Sequence, residues 1–153
     1  MKVAIGQDSH RFDFDNKEKK LVLGGVIFEG PALRANSDGD VVLHAITNAI
    51  SGITCVNILG KISDEMCKSG ITDSKEYLKK AMEYLEENIV HISITIEGKI
   101  PKISPKVEEM RESIAKILGI DKKQVGITAT TGEGLTEFGK GNGISVFVIL
   151  TVE

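Results

Sequence analysis

The chain has 153 residues, 27% charged and 41% hydrophobic, with a formal net charge of −3 and a pI near 5.7. That balance suits a single soluble domain, residues 1–153, and argues against a broad basic surface for nucleic acid. No apolar run approaches the roughly 20 residues needed to cross a bilayer, and two cysteines, Cys55 and Cys67, are too few for a disulfide framework. The expectation is a cytoplasmic protein with reduced thiols and no membrane or nucleic-acid partner.

Lys2 to Gly6 reads as a first strand, not an export signal, and leads into Gln7-Asp8-Ser9-His10. Asp13 to Lys20 is charged and reads as a solvated loop. Leu21 to Leu23 and Val26 to Phe28 form short strands around a Gly24–Gly25 turn. Ser37 and Asp40 have the spacing of a capping box, so a helix is expected over Val41 to Ile50 with Gly52 as its stop. Asn57 to Thr72 has weak periodicity and reads as a long loop. Asp73 with Glu76 opens a second helix toward Asn88, with Tyr77, Leu78, Ala81, Met82 and Leu85 on one face. Ile92, Ile94 and Ile96 alternate with polar residues as in a half-buried strand. Pro105, capped by Ser104, starts a third helix that Gly119 ends. Gln124 to Thr130 is a strand, Gly132 to Gly143 a glycine-rich loop, and Ile144 to Val152 a strand apolar on both faces and so expected to be central. The order suggests an α+β fold with helices on one face of a sheet.

Three segments carry chemistry. Asp8 and His10, two apart at a strand end, project to one side, and His44 lies on the first turns of a helix. Two imidazoles and a carboxylate make an open zinc set with a fourth position free. Asp40 and Asn48, one turn either side of His44, are candidates to receive its second ring N–H. Thr130-Thr131-Gly132-Glu133 offers hydroxyls and backbone N–H groups to phosphate oxygens, and a carboxylate for Mg²⁺ on a diphosphate; Lys140 is a further phosphate candidate. Gly98 to Pro105 is interrupted by two prolines, which leaves backbone groups free to read a base edge.

The ordered set Asp8-Ser9-His10-Arg11-Phe12, Ser37-Asp38-Gly39-Asp40 with His44-Ala45, Pro101-Lys102, Ala129-Thr130-Thr131 with Glu133, and Gly139-Lys140-Gly141 with Gly143-Ile144 resembles the 2-C-methyl-D-erythritol 2,4-cyclodiphosphate synthases over nearly the whole chain. The resemblance implies a mixed four-stranded sheet, a homotrimer with sites between neighbours, and a nucleotide-linked substrate. It implies conversion of 4-diphosphocytidyl-2-C-methyl-D-erythritol 2-phosphate into the cyclic diphosphate and CMP, in the non-mevalonate route to isoprenoids. It places Zn²⁺ on Asp8, His10 and His44, and Mg²⁺ or Mn²⁺ on Glu133. Substrate contacts fall to Asp8, His10, Ser37, Gly60, Thr130, Thr131, Glu133 and Lys140, and the cytosine falls to Gly98, Lys102, Ile103, Ser104 and Ala129. Asn36 and Thr131 take catalytic positions.

Three stretches depart from the family's pattern. Asn36 stands where the family has a histidine, so a neutral donor replaces a positive charge. Ile58 stands where a carboxylate holds the sugar hydroxyls, a change expected to cost a few kcal/mol of substrate binding. Ser63 to Cys67 replaces a longer loop. Two other readings stand beside the synthase: a non-catalytic zinc-binding homologue that binds a ligand or partner as a trimer, and a zinc-dependent phosphoester hydrolase.

Overall fold

The computed structural model describes residues 1–153. In chain order it contains β1 (Lys2–Asp13), β2 (Leu21–Leu23), β3 (Val26–Phe28), β4 (Ala32–Leu33), α1 (Val41–Thr54), α2 (Lys61–Lys68), α3 (Ser74–Met82), β5 (Ile89–Glu97), α4 (Val107–Leu118), β6 (Val125–Thr130) and β7 (Gly143–Val152). The α+β class and the mixed sheet are as expected, but the sheet has five strands, not four, in the order β4-β1-β7-β5-β6. The extra strand is β4, whose two residues pair with the far end of β1 (Phe12↔Leu33, Asp13↔Ala32). Two residues are too few to show any periodicity. β7 is central, antiparallel to both β1 and β5, while β5 and β6 run parallel. β2 and β3 form a separate ribbon.

The largest departure lies in residues 57–72. Lys61–Lys68 is a helix, α2, rather than part of a long loop. It opens where the Gly60 N–H donates to Ser63 Oγ, 3.0 Å, and it buries only Ser63, which is why no apolar stripe marks it. Ile58, just before it, is fully buried in the core. The first helix also runs past Gly52 to Thr54, and Cys55 closes it in the left-handed region. The helix after Asp73 ends at Met82 rather than near Asn88.

Strand alternation decides what each face of the sheet meets. Even-numbered residues of β1 face the helices, while Val3 and Ile5 on the opposite face are 61% and 66% exposed. Phe147 and Ile149 of β7 are about half exposed on that same face, and Ile149 pairs directly with Ile5. α1 packs directly across β1 at Gly6, where a Cβ would collide with the Ala45 carbonyl and with Ala49. The missing side chain lets the helix approach closely enough to bring His44 against Asp8 and His10.

Candidate metal centre and its cleft

Asp8, His10 and His44 converge as expected: their ligand atoms lie within 4.8 Å of one another. Asp8 Oδ2 is 2.9 Å from His10 Nε2 and 3.1 Å from His44 Nδ1, and the two ring nitrogens are 3.1 Å apart. The hydrogen-bond partners fix both tautomers. His10 Nδ1 lies 3.1 Å from the Arg34 carbonyl, which can only accept, so Nδ1 carries the proton and Nε2 presents a lone pair. Ser74 Oγ donates to Asp38 and therefore accepts from His44 Nε2, 2.7 Å away, which leaves Nδ1 as the free lone pair.

Two imidazole lone pairs and a carboxylate oxygen thus face one another, an arrangement that repels itself unless a cation sits among them. Donors about 2.0–2.1 Å from a tetrahedral zinc ion are roughly 3.3 Å apart, close to the observed spacings. The donor set and its spacing fit a divalent ion.

The residues behind His44 differ from those expected. Asn48 donates to the Gln7 carbonyl instead (2.9 Å). Asp40 turns the other way, accepting from the N–H groups of Gly24 (2.8 Å), Gly25 (2.7 Å) and Leu43 (3.0 Å), and so ties the β2–β3 turn to the start of α1. Complete burial pushes its pKa up to about 6 against these bonds. The acceptor for His44 is Ser74, the first residue of α3, which is 30 positions away and carries no local signal. Asp38 holds that serine twice, accepting from its hydroxyl and, at 3.1 Å, from its N–H.

The triad opens into a cleft of about 260 Å³. Asn36 and Ser37 line it beside the metal ligands, and Leu59, Ser63, Asp64, Cys67 and Tyr77 form the facing wall. Ile58 does not face the cleft, since its side chain is in the core. The acidic group on this wall is Asp64, on the first turn of α2. Gly60 lies at the mouth of that helix as its cap.

The other expected site residues do not join this cleft. Ala129 and Thr130 end β6, and Thr131 and Glu133 follow in an exposed turn. Glu97 Oε2 packs against Gly132, so a second carboxylate that the sequence reading did not single out borders this turn. Glu133 has φ 53°, a conformation that costs a non-glycine residue about 1 kcal/mol or more. Gly98, Lys102 and Ser104 lie in the connection after β5 with their surfaces accessible, whereas the Ile103 side chain is 6% exposed and can offer only backbone groups. Lys140 is exposed and pairs with Glu137 at 3.5 Å. β6 stands three strands from β1, so this second cluster is roughly 14 Å or more to the side of the triad at about 4.8 Å per strand. Both clusters lie at the same end of the sheet, because His10 pairs with Ile144 and Glu97 with both Ser145 and Thr130.

Fold and donor set together define an α+β domain that displays a His–His–carboxylate metal group at one end of a mixed sheet. The YgbB family model matches residues 1–153. The chain is 54% identical to the 2-C-methyl-D-erythritol 2,4-cyclodiphosphate synthase of Chlamydia caviae over 99% of this chain and 88% of that protein. Among solved structures, the 2C-methyl-D-erythritol 2,4-cyclodiphosphate synthase of Plasmodium vivax superposes with a TM-score of 0.78 at 28% identity, covering 99% and 97% of the two chains. The IspF–CDP complex of Plasmodium falciparum gives 0.81 at 25% identity, over 98% and 94%. The chain belongs to the YgbB family.

Proposed function

We propose that this protein is a 2-C-methyl-D-erythritol 2,4-cyclodiphosphate synthase, a lyase that converts 4-diphosphocytidyl-2-C-methyl-D-erythritol 2-phosphate into the cyclic diphosphate and CMP. The observation that carries the reading is the converged triad of Asp8, His10 and His44 in a chain 54% identical to a synthase over nearly its full length. The substrate class is supported by the CDP bound in the Plasmodium falciparum relative. No helix is long and apolar enough to cross a membrane.

In this reading an oxygen of the 2-phosphate attacks the β-phosphorus, and the bond from that phosphorus to the oxygen of CMP breaks. Divalent ions, Zn²⁺ held by Asp8, His10 and His44 and Mg²⁺ or Mn²⁺ held by Glu133, would supply the positive charge that two approaching anionic phosphates require. The protein's own groups position the reactants. Asn36 and Ser37, beside the triad, donate hydrogen bonds to phosphate oxygens. Thr130 and Thr131 do the same at the diphosphate, with Lys140 as a nearby cation. Backbone groups of Gly98, Lys102, Ile103, Ser104 and Ala129 surround the cytosine, and Gly60 contributes backbone contacts to the polyol. No side chain needs to act as a nucleophile.

The separation of the two clusters supports a homotrimer in which the base-binding cluster of one subunit completes the metal cleft of the next. A surface for that contact is available: Val3, Ile5, Phe147 and Ile149 form an exposed apolar patch on the bare face of the sheet, the kind of patch that marks an interface. The deciding experiment is CMP release from the diphosphocytidyl substrate with Zn²⁺ and Mg²⁺ present. Absence of turnover in a folded, metal-loaded protein overturns the proposal, and metal-dependent release of inorganic phosphate instead would favour a hydrolase.

A further inference from the structure

The loop between β1 and β2 is more than a solvated connection. The Asn16 side-chain carbonyl accepts from the N–H groups of Glu18 (3.1 Å) and Lys19 (3.0 Å), which turns the chain and aims Lys19 inward. The Lys19 ammonium donates to the Leu33 carbonyl and to the Ala35 carbonyl, each at 3.0 Å. These two carbonyls flank Arg34. The chain leaves β4 at Leu33 and bends at Ala35, and with the carbonyls of residues 33 and 35 both held by Lys19 the one between them is left to face His10. The Arg34 carbonyl is the one that accepts from His10 Nδ1, and the Arg34 N–H is anchored to the Arg11 carbonyl at 2.8 Å.

From this geometry we infer that Lys19 is a positioning residue for the metal centre: it clamps the Leu33–Ala35 strap so that the Arg34 carbonyl selects the Nδ1–H tautomer of His10 and turns Nε2 toward the ion. The clamp also fixes the segment that leads directly to Asn36 and Ser37 in the cleft. Burial lowers the pKa of the ammonium, opposed by the charges of Asp38 and Asp13. Two of its three donors are satisfied by carbonyls, so the group acts through hydrogen bonds to the strap, not by touching a ligand. A partner behind a metal-binding histidine is worth about 10- to 100-fold in metal affinity, and a residue that fixes such a partner should carry a share of that effect.

The inference rests on the reading of Asp8, His10 and His44 as a metal site, and its test separates the two. In metal-free protein at pH 8, long-range ¹⁵N–¹H correlation should show His10 protonated on Nδ1 in the wild type and a loss of that tautomer in Lys19→Met. Zinc titration against a chromophoric chelator should show the dissociation constant rising about tenfold in Lys19→Met. Lys19→Gln, which keeps a donor on a shorter stem, should fall between, and it serves if the methionine variant does not fold. The inference is overturned if either folded variant keeps the wild-type tautomer and a zinc affinity within twofold of wild type. Failure of the wild type itself to bind zinc would instead strike the metal reading, and the tautomer measurement would still decide the role of Lys19.

Discussion

Ser74→Ala isolates the contact that the sequence did not reveal. His44 is 8% exposed at its side chain, and its Nε2–H has Ser74 Oγ as its close acceptor at 2.7 Å; Ser37 Oγ, at 3.4 Å, is too far to replace it. Removing the hydroxyl leaves a buried N–H without a good partner, a loss of about 1–3 kcal/mol, and frees the imidazole to rotate or adopt the other tautomer. It also removes a hydroxyl donor from Asp38, whose carboxylate keeps the Ser74 N–H. Losing the partner behind a metal-bound histidine weakens metal binding about 10- to 100-fold, which corresponds to about 1.4–2.7 kcal/mol. The assay is competition for Zn²⁺ with a chelator of known affinity, together with a denaturant midpoint for the metal-free protein. A Ser74→Ala protein with zinc affinity within twofold of wild type would refute the assignment of His44 Nδ1 as the ligand atom.

Other consequences are equally open to measurement. His44→Ala should reduce bound zinc to a small fraction of one equivalent by elemental analysis, and full stoichiometry would show that the ligands are misassigned. Asp40 should titrate near pH 6 by ¹³C carboxyl shift, not near the ordinary value of 3.8. Because the folded state holds this proton more tightly than the unfolded state, its contribution to stability is full below about pH 4 and lost as pH rises through about 6. The shift of roughly two units corresponds to about 3 kcal/mol; a midpoint near 4 would sink this account. Ile58→Asp should destabilise the fold by more than about 3 kcal/mol in denaturant unfolding, since it places an unpaired carboxylate in the core. A well-folded variant with improved substrate KM would put residue 58 back at the cleft. If the proposed homotrimer uses the bare sheet face, Ile149→Asp should lower the mass seen by light scattering toward that of a monomer, and a wild-type monomer or an unchanged trimer mass would mean this face is not a subunit contact.

Much of this protein is written locally. Alternation at Ile92, Ile94 and Ile96 and the Gly119 stop of α4 depend on residues a few positions apart, and the structure keeps both; α1 starts at Val41 as expected, but Asp40 alone caps it, accepting from Leu43 N–H, while Ser37 accepts from Gly39 N–H instead of forming a box with Asp40. The metal triad was legible for the same reason: Asp8 and His10 sit two apart on a strand, and His44 follows a recognisable helix start. What escaped detection lacks a periodic signature. β4 is two residues long, and α2 buries a single serine. Ile58 could be placed beside the substrate by motif alignment, but only packing shows it turned into the core. The partners of the metal ligands come from 24 to 30 residues away, as the Arg34 carbonyl does for His10 and Ser74 does for His44. Which atom of a distant loop meets an imidazole depends on how closely α1 packs on Gly6 and on where the strap at Arg34 is held. Sequence therefore determined the donors, through residue type and short-range spacing. Tertiary structure decided their tautomers, their supports and the separation of the two clusters, because those depend on distances between segments that no local pattern encodes.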